Sequence, residues 1–354
     1  MNDFQVYYRS GNRLLHQESL YRILSDGHYI FKYSPSFAFF SIPFSILPLF
    51  MAKLAYWILL TLLFFEGSRF ITKKFAPNTN RSLSEESYQF IFSLILSLHF
   101  MREVDLGQIN LLLSIIFIFS GILYVENKKI LAAFLLAFTL FLKPFALILL
   151  PFLAIKKDFK FFATLICASI LFLLAPCLFF DTKYILAQNM NWIQEMKIEL
   201  SNKKDLLMGG NHTIFSIVGR YTPLFYFLKQ EMFQKIFKIV ILFCIGISVL
   251  WVQSKLSKIS KSDLWTWFVI LSWIPLISYT SDNAFGAFCF PLILLTLCFL
   301  PYNTTIYLAL FFISLNPLEI SHHPISQFIF DASFMGLSAF YLIVRHYLSF
   351  RATK

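Results

Sequence analysis

Charge is what this sequence has least of. Only 14% of its 354 residues are Asp, Glu, Lys or Arg, against about a quarter in ordinary soluble domains. The chain is 58% hydrophobic with a mean hydropathy of +0.69, more apolar surface than a water-soluble core of this length can enclose. Strict apolar–polar alternation is missing too, which excludes a membrane β-barrel. The five cysteines, Cys167, Cys177, Cys244, Cys289 and Cys298, form no CxxC pair. They lie within apolar blocks and read as small packing residues, not as zinc ligands or a redox pair. No zinc spacing and no basic–aromatic groove accompanies the net charge of +11, which excludes the usual nucleic-acid-binding classes. There is no internal repeat and no low-complexity linker, so the chain reads as a single domain over residues 1–354.

What is present is a series of continuous apolar blocks, such as Leu106–Val125 and Phe159–Phe180. In lipid no water satisfies the backbone, so each crossing segment must hydrogen-bond within itself, as a helix does. The expected fold is therefore all-α and polytopic, with about eleven membrane helices at 50–72, 85–101, 107–125, 130–142, 144–155, 159–180, 235–252, 264–281, 285–300, 304–318 and 327–347. Residues 1–35 hold no spanning segment and no signal peptide. Ser36–Pro48, broken by Pro43 and Pro48, is too short to cross and reads as interfacial or re-entrant. Two helices are short: the halves flanking Lys143-Pro144 have about a dozen residues, or ~18 Å each at 1.5 Å per residue. They form either one kinked helix or a shallow hairpin.

Basic clusters bear on that choice. They occur at Arg69, Lys73, Lys74 and Arg81; at Lys128 and Lys129; at Lys156, Lys157 and Lys160; at Lys255, Lys258 and Lys261; and at Arg345, Arg351 and Lys354. A hairpin at Lys143-Pro144 puts all five on one side, and a single crossing splits them. Lysine and arginine concentrate on the cytoplasmic side of membrane proteins. The pattern thus favours the hairpin, a cytoplasmic C-terminus, and an outer location for Met1–Ser34 and the long Asp181–Gln234 loop.

The outer face then collects polar groups: Asp3 with Tyr7 and Tyr8, Tyr33, Asp105 with Gln108 and Asn110, Lys143, Asn211-His212-Thr213, and Arg220. A carboxylate beside cations at a membrane surface suits sugar transfer from a lipid phosphate. The carboxylate takes the acceptor's proton, and the cations stabilise charge on the departing phosphate. Each residue also has a plain reading. Asp3 is then solvated, Gln108 and Asn110 join helices at ~1 kcal/mol each, Lys143 snorkels and Arg220 is a loop cation. The adjacent His322 and His323 read as a surface turn, because neighbouring histidines rarely chelate one ion together.

A series of short segments resembles one family. Asp3-Phe4-Gln5-Val6-Tyr7-Tyr8-Arg9-Ser10-Gly11, Leu20-Tyr21 and Phe31-Lys32-Tyr33-Ser34-Pro35-Ser36-Phe37-Ala38 resemble the first outer loop of glycosyltransferase family 87. Gly107-Gln108-Ile109-Asn110-Leu111-Leu112-Leu113 is similar to its GQ-x-N-LLL segment. Leu142-Lys143-Pro144 is similar to its lysine–proline turn, and Asn211-His212-Thr213-Ile214 with Arg220 to its outer-loop Asn-Gln-Ser pattern. The resemblance implies a GT-C-type membrane enzyme typified by polyprenyl-phosphate-mannose-dependent mannosyltransferases. It assigns Asp3 the catalytic-base position and gives Tyr7, Tyr8, Tyr33, Asp105, Gln108, Asn110, Lys143, Asn211 and Arg220 to substrate binding. It implies no cofactor and no metal, with a lipid-linked sugar donor and a lipid or glycan acceptor as partners. The family places a membrane helix before the Asp3 loop, and this sequence starts two residues before Asp3, so the expected domain lacks that first helix. Ser281-Asp282-Asn283-Ala284-Phe285 stands where the family often carries Ser-Trp-x-His-His. The competing function is a transporter or lipid flippase with no covalent chemistry, and a further alternative is an inactive scaffold. Transporters favour internal repeats and helices broken at midplane.

Overall fold

The computed structural model describes residues 2–27, 29–75, 84–201, 211–228, 230–256, 262–278, 282–300, 303–315 and 324–352. Arg81, Lys203, Lys204, Lys258, Lys261, His322, His323 and Lys354 lie outside the described residues. Among the described residues every regular element is helical, as the apolar blocks require. The chain divides into two compact units, Met1–Leu63 with Glu103–Lys204 and Phe64–Arg102 with Asp205–Lys354.

The first unit opens with a helix, α1 (Asn2–Leu15), where the sequence reads an outer loop. Its buried residues are Phe4, Tyr7, Ser10, Gly11 and Leu14. They recur every three or four positions and so form one face. That face docks on α2 (Pro35–Ser45), an 11-residue helix started by Pro35 and capped by Ser34, whose hydroxyl accepts from Phe37 N. At ~1.5 Å per residue α2 is too short to cross a bilayer. A side chain at Gly11 would place its Cβ 2.2 Å from Ser45 Oγ, and Ser45 donates to Tyr8 O at 2.7 Å. Close backbone approach thus seats α1 on α2. Phe4 packs edge-on against Phe44 and against Tyr56 of α3 (Leu49–Phe75).

After α4 (Glu85–Leu106) come α5 (Asn110–Val125), α6 (Lys129–Leu140), a 3-10 turn at Pro144–Leu149, α7 (Leu150–Ile155) and α8 (Phe159–Leu174). Lys129 Nζ reaches Asp158 Oδ2 at 2.5 Å, and Tyr124 meets Phe161 edge-on. The turn before α6 and the turn after α7 therefore sit at the same end. Residues 129–155 go out and come back, so Lys143-Pro144 is a hairpin tip and not a kink. Asp158 also caps α8 by accepting from Phe161 N. Burial opposes its charge, but Lys129 and that cap hold its carboxyl below the usual range.

The described residues of the stretch 181–234, read as a loop, are largely helical. α9 (Thr182–Ser201) presents a stripe that grips the N-terminal segment. Tyr184 donates to Glu18 O at 2.5 Å, Gln188 accepts from Leu20 N, Glu195 pairs with Arg22 at 2.8 Å and Glu199 with Lys32 at 2.9 Å. These positions recur at helical spacing.

The second unit contains the end of α3 from Phe64, α4 as far as Arg102, α10 (Ile214–Tyr221), α11 (Phe225–Leu228), α12 (Glu231–Leu256), α13 (Ser262–Leu271), α14 (Ile274–Ile277), α15 (Asp282–Phe288), α16 (Phe290–Phe299), α17 (Thr304–Ser314), α18 (Pro324–Asp331) and α19 (Phe334–Ala352). Its core gathers Trp267, Phe268, Phe285, Phe288 and Phe290, each less than 2% exposed. Trp273 Nε1 donates to Tyr347 Oη, which also meets Ser248 Oγ, joining α12, α19 and the turn between α13 and α14 through polar groups.

Where they are described, all eleven expected apolar segments are largely helical. Among the described residues, Leu49–Lys74, Phe159–Leu178 and Met232–Trp251 are long and apolar enough to cross a membrane, and Pro324–Asp331 with Phe334–Ser349 forms an apolar pair bent by 45°, either a broken span or a re-entrant loop. Only 11–22% of the three straight windows is buried. Their apolar side chains face outward, as lipid contact demands. Six further apolar helices have 10–17 residues, where the sequence reads only two short ones. Proline explains several breaks. Pro144, Pro151, Pro275 and Pro291 each stand in the first turn of a new element, where the missing N–H costs nothing.

Candidate active site

The site in the first unit is built around a tight turn. α4 ends at Leu106, and Gly107 adopts φ +76°, a left-handed conformation suited to a helix C-terminus. Gly107 N and Gln108 N both bond to Glu103 O, at 2.8 and 2.9 Å. A Cβ at Gly107 would lie 2.6 Å from Phe4 Cβ, so only glycine lets α1 press onto this turn. That contact brings Asp3 to Gln108. Gly107→Ala should therefore separate α1 from the turn. The left-handed conformation alone costs about 1–2 kcal/mol, and transfer activity should fall with a lowered thermal midpoint in detergent.

Gln108 Nε2 donates to Asp3 Oδ2 at 2.8 Å. Asn110 Nδ2 donates to Gln108 Oε1 at 2.8 Å and to Glu103 Oε1 at 2.7 Å. Lys143 Nζ donates to Asn110 Oδ1 at 2.5 Å. The ammonium can only donate and the carboxylates only accept when ionised. This fixes which way each amide points, and the chain runs Lys143 to Asn110 to Gln108 to Asp3. Glu103 Oε2 accepts from Leu111 N at 3.1 Å, satisfying one of the unpaired donors in the first turn of α5. Tyr56 Oη donates to Gln108 O at 2.9 Å.

Asp3 also lines a cavity of about 320 Å³ with Val6, Tyr7, Tyr29, Ile30, Lys32 and Tyr33. The Tyr7 and Tyr33 hydroxyls meet at 3.3 Å. Burial, with the neighbouring carboxylate of Asp3 adding to it, pushes both phenols well above their usual range, so they stay protonated donors. Ser34 N donates to Phe141 O at 3.2 Å, which ties the Tyr33 segment to the hairpin carrying Lys143. In the same N-terminal region, Asp26 is clamped by Arg13 at 2.5 Å and Arg9 at 3.2 Å. The hydrogen bond from Arg13 is the main reason its carboxyl lies below the usual range.

The structure thus brings together Asp3, Tyr7, Tyr33, Gln108, Asn110 and Lys143. Tyr8 is turned away, its hydroxyl donating to Leu47 O at 2.9 Å. Asp105 is exposed on the last turn of α4 and does not line the cavity. Asn211 and Arg220 belong to the second unit. Buried Asn211 accepts from Thr213 N and Oγ1, and Thr213 caps α10. Arg220 donates to Asp331 O at the end of α18. His212 is 2% exposed, its Nδ1 lies 2.8 Å from Ser333 Oγ, and burial lowers its pKa to about 3. Glu103, only 2% exposed, is the member that sequence reading misses. The available signal was its place seven residues before Asn110, across a Gly turn.

This is an all-α membrane protein with a carboxylate, two amides and a lysine joined at one end of apolar helices. The family model of glycosyltransferase family 87 matches residues 31–278, more than half of the chain, and the chain belongs to that family. It is a membrane glycosyltransferase by that membership. The matched segment contains Tyr33, Gln108, Asn110 and Lys143, and Asp3 precedes it. No curated protein and no solved structure matches the chain.

Proposed function

We propose that the protein moves a hexose, mannose by its family resemblance, from a polyprenyl-phosphate donor to a hydroxyl of a lipid or glycan acceptor. The observation that carries this reading is the hydrogen-bonded line from Lys143 to Asp3, which ends at a tyrosine-walled cavity. In the proposed reaction the acceptor oxygen attacks the anomeric carbon of the sugar. Its proton passes to the Asp3 carboxylate, so a neutral hydroxyl need not form a free alkoxide. The bond between the anomeric carbon and the phosphate oxygen breaks, and the electron pair leaves with polyprenyl phosphate. Lys143 offsets the charge that builds on that phosphate. A single displacement inverts the anomeric configuration. Tyr7 and Tyr33 hold the sugar through their hydroxyls and ring faces.

The asymmetry of Lys and Arg supports the topology: the basic turns at 128–129 and 156–160 face the cytoplasm and the Lys143 tip faces outward, in a bacterial plasma membrane. The test is transfer of labelled mannose from polyprenyl-phosphate mannose in proteoliposomes that also contain membrane lipids of the source cell. Labelled lipid or glycan, absent when a nucleotide sugar replaces the donor, is expected. Donor movement across the bilayer without transfer would replace this reading with a flippase.

A further inference from the structure

Glu103 is a carboxylate almost wholly removed from solvent, and it does not line the cavity. An ionisable group in such a place is costly unless its oxygens are satisfied. Both are: Oε1 takes Asn110 Nδ2 at 2.7 Å and Oε2 takes Leu111 N at 3.1 Å. Its backbone carbonyl also closes the Gly107 turn. One residue therefore holds the 107–111 segment from both its main chain and its side chain.

The consequence lies in Asn110. Its amide group has two hydrogens and one oxygen, and all three are used, by Glu103, Gln108 and Lys143. Glu103 and Lys143 pull from opposite sides, so the amide cannot rotate or flip. With Asn110 fixed, its second hydrogen fixes Gln108 Oε1, and the other end of Gln108 must then present Nε2 to Asp3. Hydrogen bonds in such a series also polarise one another.

We infer that Glu103 is a positioning residue for the transfer reaction: by locking Asn110 it orients Gln108, and through Gln108 it aims the Asp3 carboxylate. The inference rests on the reading of Asp3 as the base. It gives Gln108 and Asn110 a role in aligning the base, beyond contact with substrate.

Glu103→Gln keeps the length of the side chain but sets an NH2 against either Asn110 Nδ2 or Leu111 N. Turnover should fall about tenfold to a hundredfold, the scale expected of a small misplacement of a reacting group. The KM for polyprenyl-phosphate mannose should stay within about threefold, since alignment of the base matters in the transition state and not in donor binding. A purely structural role would lower the thermal midpoint and the yield of folded protein instead. Glu103→Gln combined with Asn110→Asp separates the two. In that pair Gln donates to Asp, Leu111 N keeps an acceptor and Lys143 keeps its partner, so local bonding is restored. Only the donor to Gln108 is lost, because a carboxylate has no N–H. The expected result is a parental thermal midpoint with turnover still low. Recovery of parental turnover in the double variant would overturn the inference, as would parental turnover in Glu103→Gln alone. Asp3→Asn is measured beside them. Loss in Asp3→Asn with none in Glu103→Gln sinks the positioning role only, whereas parental turnover in Asp3→Asn sinks the base assignment and this inference with it.

Discussion

Asp3→Asn should lower turnover by about 10²–10⁴-fold, the usual contribution of a positioned general base, while donor binding survives. Asparagine has the same shape and still offers an oxygen to Gln108 Nε2, so the 2.8 Å contact need not be lost. What disappears is the ability to take a proton from the acceptor. The comparison is Asp105→Asn. Asp105 is exposed on the last turn of α4, outside the cavity lining, so turnover should stay within about threefold of the parent, as for a surface residue that contributes no interaction in the transition state. The measurement is the initial rate of mannose transfer in proteoliposomes at saturating polyprenyl-phosphate mannose. Full activity in Asp3→Asn together with loss in Asp105→Asn would move the base to Asp105.

Lys143→Ala acts on the other end of the line. It removes a charge-assisted donor, and hydrogen bonds to charged groups are worth about 1.5–3 kcal/mol, or roughly tenfold to a hundredfold in donor affinity. It also releases Asn110 Oδ1 from its 2.5 Å partner, so turnover should fall as well. Lys143→Arg retains the charge but brings a planar fork in place of a compact ammonium, and should recover binding better than turnover. Equilibrium binding of the polyprenyl-phosphate donor to purified protein reads the first effect. An unchanged dissociation constant in Lys143→Ala would leave the lysine as a structural partner of Asn110 alone.

The sequence made some of this readable and hid other parts for physical reasons. Long apolar blocks announce α3, α8 and α12 because lipid contact leaves no polar side to confuse the pattern. The hairpin followed from charge counting, and Lys129 with Asp158 confirms it within its unit. Helix α1 was hidden by its polar and aromatic content. Its buried face, Phe4, Tyr7, Gly11 and Leu14, has helical spacing but includes a glycine and a tyrosine in place of a run of aliphatic residues. Glycine at position 11 counts against a helix by propensity, and close packing on α2 overrides that preference. Helix α9 was hidden because its inward stripe is polar, made of Tyr184, Gln188, Glu195 and Glu199. Glu103 and Asp105 illustrate a different limit. Residues two positions apart on a helix point ~200° from one another, so one faces inward and the other outward. Composition does not say which, and only the packing of the Gly107 turn decides for Glu103.

The depth of the Lys143 hairpin carries one more consequence. Helix α6 has 12 residues, a height of ~18 Å, and the hydrocarbon core of a bilayer is ~30 Å thick. On the proposed topology, a tip that starts from the cytoplasmic surface therefore stops short of the opposite headgroups. In the proposed reaction, either the outer leaflet dips toward the protein or the phosphate of the donor sinks below its neighbours to reach the lysine. Both distort the lipid layer, and both become harder as acyl chains lengthen. If the donor is lipid-linked as proposed, the fatty-acid composition of the host membrane becomes a parameter of the enzyme, setting how far that sugar must descend before it can react.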